Sequence, residues 1–231
     1  MSDSKDKDII IRVSEITKTF NTGGGHSGKL EVLRGITMDV QRGEIMAIVG
    51  ASGAGKSTLL HIMGTLDRPT SGQIFYDHLD AFSLDDDSLA RFRNREIGFV
   101  FQFHHLLPEF TLLENVAMPA LIMGQEMSEA KNQALQILRE VGIEGKADAE
   151  PPELSGGEQQ RAAVARALMN APRVVLADEP SGNLDTANAQ SLHELIWNLS
   201  RSRGQTFVVV THNESLAKQA DRVVKIVDGH V

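Results

Sequence analysis

The chain has 231 residues, enough for one good core, and its lack of cysteine excludes disulfides, zinc–thiolate sites and cysteine nucleophiles. Its 23 Lys and Arg against 31 Asp and Glu give a net charge of -8, which argues against a general nucleic-acid binder because phosphate neutralisation needs clustered positive charge. The charged start "MSDSKDKD" is unlike a secretory signal, and no apolar run approaches the roughly 18 residues of a membrane-spanning helix, so the sequence predicts a soluble chain.

Strands and helices alternate along most of the chain. The pattern of apolar residues predicts strands at 9–16, 36–40, 45–49, 73–76, 97–100, 174–177 and 206–210. It predicts helices at 56–66, 86–95 and 186–203, then a final short helix and strand. Residues 23–30 begin like a phosphate-binding loop, but Leu30 stands where a Ser or Thr would hold magnesium, so we expect a flexible surface loop there.

The middle of the chain has a different pattern. From residue 103 to 160 the sequence indicates helices without a confident strand, and a further helix runs to about Met169. One helix face is predicted by apolar residues that recur at steps of three and four, namely Met127, Ala130, Ala134, Ile137, Leu138 and Val141. We therefore expect a single domain over 1–231, in which 1–102 and 161–231 form an α/β core and 103–160 a helical subdomain.

A phosphate-binding loop is indicated by "IMAIVGASGAGKSTLL". The buried run Ile45–Val49 leads into glycines, and a helix opens at Lys56. Glycines let backbone amides converge on phosphate oxygens, Lys56 reaches the outer phosphates, and the Ser57 hydroxyl is placed for magnesium. The predicted nucleotide-binding residues here are Gly50, Ala51, Ser52, Gly53, Ala54, Gly55, Lys56, Ser57 and Thr58.

Two adjacent carboxylates follow the apolar run 174–177. Neighbouring side chains leave an extended backbone on opposite sides, so Asp178 and Glu179 are expected to do different jobs. We expect Asp178 to hold magnesium, usually through water, and Glu179 to face the attacking water as general base or orienting acceptor. Alone, the pair would fit carboxylates that merely solvate a strand end, but the phosphate-binding loop favours the catalytic interpretation.

A second glycine-rich stretch, "LSGGEQQR", begins at Leu154. Ser155 and Glu158 fit a capping box, which leaves Gly156 and Gly157 unexplained because each glycine costs a helix about 1 kcal/mol relative to alanine. Two glycines in a first turn are favourable if a phosphate must approach the bare amides. Since the phosphate-binding loop covers the inner face of its own nucleotide, we expect this stretch to contact a nucleotide held by another copy. This predicts a homodimer with two shared sites.

Four stretches in this order, "GASGAGKST", "LSGGEQQR", "LADEPSGNLD" and "VVVTHN", resemble the ATPase subunit of an ABC transporter. The resemblance implies a P-loop NTPase fold of α/β class, with a mostly parallel sheet, an N-terminal antiparallel β part and an inserted helical lobe. It implies ATP and Mg²⁺ as cofactors and ATP hydrolysis coupled to translocation. It also implies a head-to-tail homodimer in which each ATP lies between the P-loop of one subunit and "LSGG" of the other.

Further site residues follow from the resemblance alone. It implies that Gln102 is a magnesium ligand and a sensor, that His212 contacts the γ-phosphate, and that Phe20 replaces an adenine-stacking tyrosine, although Phe20 could also be ordinary core. It places Gly182, Asn183 and Asp185 at the dimer interface. The expected catalytic residues are Lys56, Glu179 and His212, the magnesium ligands are Ser57, Gln102 and Asp178, and the residues that reach the partner's nucleotide are Ser155, Gly156, Gly157 and Glu158.

The segment 102–122, "QFHHLLPEFTLLENVAMPALI", is similar to the lipoprotein-releasing subfamily. That similarity implies a peripheral subunit on the cytoplasmic face of the inner membrane, bound to LolC/LolE-like integral membrane subunits. The complex would handle lipoprotein cargo bound for the outer membrane, and no nucleic acid is expected as a partner. A groove for a short helix of a membrane subunit is expected from apolar residues that could instead pack inside the helical lobe, namely Leu106, Leu107, Phe110, Leu112 and Leu113.

Other functions stay open at this point. The ATPase of a related exporter, of macrolide or peptide type, and a soluble ABC ATPase of iron–sulfur assembly would share these motifs. A purely structural interaction module is also compatible with the chain length. An ATPase of DNA repair or chromosome organisation would need a long coiled coil between the P-loop and "LSGG", and the sequence has no heptad pattern of that length.

Overall fold

The computed structural model describes residues 9–21 and 28–231. The strands are β1 Ile9–Asn21, β2 Lys29–Gln41, β3 Ile45–Val49, β4 Ser71–Tyr76, β5 Leu79–Asp80, β6 Ile97–Val100, β7 Val174–Asp178, β8 Thr206–Val210 and β9 Arg222–Lys225. The helices are α1 Lys56–Met63, α2 Asp86–Glu96, α3 Leu112–Ile122, α4 Met127–Glu140, α5 Gly156–Leu168, α6 Thr186–Arg203 and α7 Glu214–Gln219.

The chain divides into two compact units. The first runs to Leu89 and resumes with Val208–Val231, and the second is Ala90–Phe207. Across 9–21 and 28–231, none of the helices has both the length and the apolar content that crossing a bilayer requires. The predicted division into a core and a helical subdomain at residues 103 and 160 stays a prediction.

An antiparallel sheet dominates the first unit. Its strand order is β2-β1-β4-β5, and each neighbouring pair runs antiparallel. Along β1, Ile11, Val13 and Ile16 are fully buried, and the register shifts between Val13 and Ile16. Glu15 lies there with φ of 49°, so a bulge moves the buried positions by one residue. The expected N-terminal antiparallel part is thus confirmed.

The first unit also contains the parallel pair β3 and β9, in register from Met46 with Arg222 to Val49 with Lys225. Arg222 Nη2 donates to Oε1 of the buried Glu44 at 2.6 Å. The backbone N–H of Ile45 donates to Oδ2 of Asp221 at 2.8 Å. Because β3 leads directly into the predicted phosphate-binding loop, these bonds fix the base from which that loop begins.

The second unit pairs β6 with β7 in parallel, and α3, α4 and α5 pack against one another. In the fully described stretch from residue 101 to 173 there are helices and no strand, as predicted. The predicted α4 face is buried at Ala130, Ala134, Ile137, Leu138 and Val141, whereas Met127 is 49% exposed, so the prediction was wrong only at its first residue. Together the parallel and antiparallel pairs confirm the expected α/β class.

A buried asparagine shapes the turn before α3. The Asn115 side chain is 1% exposed, and its Oδ1 accepts from the Leu107 backbone N–H at 2.7 Å. Its Nδ2 lies 3.0 Å from each of the carbonyl oxygens of Leu107, Phe110 and Thr111. The Asn115 side-chain amide therefore forms hydrogen bonds with backbone groups of this turn that do not pair with a strand.

The first hairpin and helix α1 differ most from their predicted bounds. The first hairpin is longer than expected, because Phe20 pairs with Leu30 and Asn21 with Lys29 across its end. Lys29 and Leu30 therefore belong to β2 rather than to the expected surface loop, and residues 23–27 of that prediction lie outside the described residues. Helix α1 ends at Met63, three residues early, because Gly64 caps it and Thr65 has φ of 57°.

Candidate active site

The phosphate-binding loop lies between β3 and α1, as the sequence predicts. Gly55 is the N-cap of α1 and provides no side-chain cap, and the first turn contains no acidic residue. No side chain of this first turn therefore caps the free amides or offsets the positive end of the helix dipole. Lys56 Nζ donates to the carbonyl oxygens of Gly50 and Ala51, at 3.0 Å each, so the ammonium group lies over the loop.

Two glycines of this loop are required for different reasons. Gly55 has φ of 101°, and a Cβ there would lie 2.7 Å from Cδ2 of the fully buried Leu33 and 3.0 Å from the Val32 carbonyl oxygen. Gly53 has φ of 77°, but a Cβ there would have no other atom within 4 Å. Gly55 is thus fixed by conformation and packing, and Gly53 by conformation alone.

His212 lies just beyond β8, beside the strand that feeds the phosphate-binding loop. The N–H of Thr211 donates to the carbonyl oxygen of Ile48 at 3.1 Å. The Thr211 hydroxyl then accepts from the Asn213 N–H at 2.9 Å, and Asn213 Oδ1 accepts from the Leu216 N–H in α7. These bonds fix the backbone on both sides of the exposed His212.

Phe20 is at the end of β1, and its side chain is 40% exposed. Lys18, two residues earlier on the same face of the strand, places Nζ 4.9 Å from the ring centroid. The same Nζ donates to Asp67 Oδ1 and to the Arg68 carbonyl oxygen, at 2.7 Å each. The ammonium group is therefore held in place against one face of the ring.

The second unit contains the two carboxylates. The parallel register pairs Val100 with Ala177, so Gln102, two residues beyond β6, and Asp178, the last residue of β7, lie at the same edge of the sheet. Glu179 has φ of 46°, and β7 ends at Asp178. The prediction that both carboxylates leave one extended backbone was therefore wrong at Glu179, because the chain turns there into a left-handed conformation. Such strain is concentrated at functional sites and costs about 1–3 kcal/mol.

Gln102 and the segment after the carboxylates are joined by two hydrogen bonds. Gln102 Nε2 donates to Asn183 Oδ1 at 3.2 Å, and Asn183 Nδ2 donates to the Gln102 carbonyl oxygen at 3.1 Å. Farther along, Ser181 Oγ lies 2.8 Å from Nε2 of the buried His193 on α6. Segment 181–185 is thus attached both to the Gln102 loop and to α6.

The "LSGG" stretch forms the start of α5, with Ser155 as its N-cap. Ser155 Oγ accepts from the Glu158 N–H at 3.3 Å, and Glu158 Oε2 accepts from the Ser155 N–H at 2.8 Å, so the capping box is present. The Ser155 N–H and the Ser155 hydroxyl both donate to the Glu158 carboxylate, and these two bonds lower the pKa of Glu158 below its usual range. Ser155 and Gly156 are exposed, whereas Gly157 is buried. The two glycines therefore differ in what can reach them.

Helix α5 also holds the loop that follows Gln102, a link that was not predicted from the sequence. The buried Gln160 donates to the Phe101 carbonyl oxygen at 2.9 Å. Arg166 donates to the carbonyl oxygens of His104 and His105, at 2.7 and 2.6 Å. The sequence positions of Gln160 and Arg166 after "LSGG" do not predict these contacts. The contact of Lys18 with Phe20 could have been predicted, because residues two apart lie on the same face of a strand.

The predicted site residues fall into two sets. The first unit holds Phe20, the phosphate-binding loop and His212, and the second holds Gln102, the carboxylates and the "LSGG" stretch. A phosphate-binding loop opening a helix, together with carboxylates that end a buried parallel strand, defines a P-loop nucleotide hydrolase. The glycine-rich start of α5 is a further feature, which a phosphate-binding loop and strand-end carboxylates alone do not require.

Comparison with known proteins identifies the family. Residues 33–182 match the ABC transporter family model. Over 222 residues the chain is 54% identical to the lipoprotein-releasing system ATP-binding protein LolD of Geobacter metallireducens and 53% to that of Bacteroides thetaiotaomicron, covering 96% of this chain and 97% and 99% of those proteins. The dimeric structure of the bacterial ABC transporter cassette MJ0796 superimposes with a TM-score of 0.87 at 39% identity, covering 96% of each chain. The chain therefore belongs to the ABC transporter family, as an ATP-binding and ATP-hydrolysing subunit.

Alanine at Gly55 and at Gly53 should have unequal effects on stability. Gly55→Ala combines left-handed strain with overlap against Leu33 and Val32, and we expect it to cost about 3 kcal/mol in the free energy of unfolding. Gly53→Ala has the strain alone and should cost about 1 kcal/mol. Urea unfolding of both variants measures the difference, and equal losses would contradict the packing explanation for Gly55.

Proposed function

We propose that this chain is the ATPase of a lipoprotein-releasing ABC transporter and acts as a homodimer with two shared ATP sites. The observation that carries the proposal is the exposed start of α5, where Ser155 and Gly156 present a helix N-terminus to the surface. A phosphate is the ligand that such a helix end attracts. Two relatives, at 54% and 53% identity, are named for lipoprotein release, and they support this transport system over the exporter and iron–sulfur alternatives.

Each site would be completed by a second copy. The phosphate-binding loop wraps a triphosphate from the α1 side and leaves the outer side of the γ-phosphate for another donor. The exposed Gly156 amide and the Ser155 hydroxyl of the partner would supply that donor. The solved ABC cassette similar to this chain is itself a dimer, and a related structure of the same cassette is a dimer with ADP and phosphate.

Hydrolysis would depend on three side chains. Lys56, whose ammonium lies over the loop, would move from the Gly50 and Ala51 carbonyl oxygens to the outer phosphates. Glu179 would orient the attacking water and accept its proton, and His212 would donate a hydrogen bond to the γ-phosphate. The left-handed backbone at Glu179 supports its role, because it directs this carboxylate differently from Asp178.

The residues assigned to magnesium fit that ion. Ser57, Gln102 and Asp178 offer hydroxyl, amide and carboxylate oxygens, which are the ligands a hard cation prefers. Gln102 Nε2 donates to Asn183 Oδ1, which orients the amide through its nitrogen and would leave its oxygen as the ligand atom. Held by these residues together with ATP, the ion would supply positive charge that offsets the negative charge of the phosphates.

Adenine would stack on Phe20. Lys18 covers one face of the ring and is fixed by Asp67 and the Arg68 carbonyl oxygen, so the base would use the other face. The 40% exposure of Phe20 supports this role over that of an ordinary core residue.

The membrane subunit would dock on an exposed apolar surface that follows Gln102. Phe103, Leu107 and Phe110 are 63%, 42% and 39% exposed. Leu106 and Leu112 are buried, so the expected groove was wrong in these two residues, which pack inside the second unit. Because Gln160 and Arg166 join this loop to α5, a helix bound here would act on the "LSGG" helix directly. The complex would lie on the cytoplasmic face of the inner membrane, with LolC/LolE-like subunits as its partners.

Glu179→Gln should abolish turnover and leave an ATP-stabilised dimer. Removal of the proton acceptor should lower the ATPase rate at least about 100-fold, while binding contacts remain. Steady-state hydrolysis and gel filtration with ATP measure the two effects. Glu129→Gln, on the exposed side of α4, is the matched control and should behave as wild type. Normal hydrolysis by Glu179→Gln would remove that residue from its assigned role.

A mixture of two inactive variants tests whether the sites are shared. Lys56→Ala damages the loop of one subunit and Ser155→Arg the helix start of another, so each homodimer is inactive. A mixed dimer has one intact site, and an equimolar mixture should recover up to about a quarter of wild-type activity because half of the random dimers are mixed. Sites completed within one chain predict no recovery.

Leu107→Glu should release the membrane partners. A buried charge at the interface opposes docking, so integral proteins should no longer co-purify from native membranes, while ATPase activity of the isolated chain is retained. Ile122→Glu is the matched control, since Ile122 is 70% exposed in the same unit and lies outside the docking surface.

Depletion of the protein should leave lipoproteins in the inner membrane, and Ile122→Glu should correct this where Leu107→Glu does not. Normal lipoprotein distribution after depletion would refute lipoprotein release, and equal co-purification by both variants would refute the docking surface.

A further inference from the structure

A buried asparagine on α3 is bonded to the turn that carries the docking surface. Asn115 Oδ1 accepts from the Leu107 N–H at 2.7 Å, and Nδ2 lies 3.0 Å from the Leu107 carbonyl oxygen. The side chain thus pairs with both backbone groups of Leu107, as a facing residue does in an antiparallel ladder. Two more carbonyl oxygens, those of Phe110 and Thr111, lie 3.0 Å from Nδ2.

The chemistry of these neighbours fixes the orientation of the Asn115 amide. One N–H donor faces its oxygen and three carbonyl oxygens face its nitrogen, so a rotated amide would set its own oxygen against acceptors. The side chain is 1% exposed, so a bond lost here is not regained from bulk solvent. Asn115 is therefore held in one position, unlike a polar side chain at the surface.

Helix α3 is capped without the Asn115 side chain. Thr111 Oγ1 accepts from the Glu114 N–H at 3.3 Å, and Glu114 Oε2 accepts from the Thr111 N–H at 3.2 Å. This capping box binds two of the backbone donors at the helix start. Asparagine within a helix is also less favourable than alanine. The Asn115 amide therefore serves the turn before α3 rather than the helix.

The turn directs apolar side chains outward. Leu107 and Phe110 are 42% and 39% exposed, whereas the adjacent Leu106 is 8% exposed. Bonds to both the N–H and the C=O of Leu107 fix the peptide planes on either side of its Cα, and so the direction of its side chain. A turn without these bonds would be free to move Leu107 and Phe110 toward the core, because burial of apolar surface is favourable.

We infer that Asn115 is a positioning residue for the membrane subunit. It holds Leu107 and Phe110 outward, so that the apolar face of a short helix of that subunit binds a surface that is already formed. The identity of the partner rests on the proposed function. The restraint on the turn is a property of this chain alone, and the two parts are tested separately.

Asn115→Leu tests the restraint, because leucine is similar in size and forms none of the side-chain hydrogen bonds. The Leu107 N–H should exchange with deuterium at least about 10-fold faster than in wild type, measured by NMR on the nucleotide-free chain. Val116→Ala is the matched control, since Val116 is fully buried in the same helix. It should lower the Tm by about 5 °C, similar to Asn115→Leu, and leave Leu107 exchange within about twofold. Unchanged exchange in Asn115→Leu overturns the restraint.

Binding to the membrane subunits tests the consequence. Asn115→Leu should raise the Kd for detergent-solubilised LolC/LolE-like subunits at least about 10-fold, whereas Val116→Ala should stay within about twofold of wild type. Added to Leu107→Glu, Asn115→Leu should change the Kd by less than about twofold, because both changes act on the same contact. Equal weakening by Asn115→Leu and Val116→Ala would show a loss of stability alone and overturns the positioning role.

Two further outcomes are decided in advance. If Asn115→Leu does not fold, Asn115→Ser is judged by the same thresholds, because its hydroxyl is too short to bond both groups of Leu107. If Leu107→Glu binds the membrane subunits as wild type does, the proposed docking surface fails together with the positioning role, while amide exchange still decides the restraint. If Leu107→Glu loses binding and Asn115→Leu retains it, only the positioning role is overturned.

Discussion

A helix begins with amides that have no partner inside the helix, and in this protein two helices begin with residues that leave those amides accessible. Helix α1 starts at a glycine with no capping side chain and no acid in its first turn. Helix α5 starts with an exposed glycine after a capping serine. In the proposed function, phosphate binding and the sharing of the nucleotide between subunits would depend on these exposed backbone groups.

Such groups are useful only if the backbone around them is held still. In the second unit the support comes from side chains that bind main-chain oxygens. Gln160 and Arg166 hold the loop after Gln102, and Asn183 returns a bond to the Gln102 carbonyl. Because these bonds connect the loop, segment 181–185 and α5, a displacement of one is resisted by the others. A membrane helix on the Gln102 loop would thus be mechanically connected to the phosphate-binding start of α5.

The sequence predicted the parts of the fold that local rules determine. Strands β3, β6 and β8 and helix α6 were correct to the residue, because each is an apolar run or periodic segment with a polar or glycine boundary. The end of the first hairpin was missed, since Leu30 is 55% exposed and belongs to β2 only through pairing with Phe20. The left-handed backbone at Glu179 was also beyond prediction, because it depends on tertiary neighbours rather than on spacing.

The free energy needed to close a dimer around two ATP molecules is small enough to come from a few hydrogen bonds at each site. Moving a two-state equilibrium from 1:99 to 99:1 takes about 5.5 kcal/mol, or roughly 2.7 for each of two ATP sites. A hydrogen bond to a charged group contributes about 1.5–3 kcal/mol net. The Ser155 hydroxyl donates to Glu158 Oε2 at 2.7 Å, so its transfer to phosphate gives up an existing bond, and the Glu158 carboxylate opposes the incoming anion.

In the proposed function, the backbone amides at the start of α5 would therefore contribute most of the attraction. Two chains, each with a net charge of -8, also repel one another. In the proposed function, a dimer held by so narrow a margin would close while the γ-phosphate is present, and release of that phosphate after hydrolysis would be sufficient to reopen the pair.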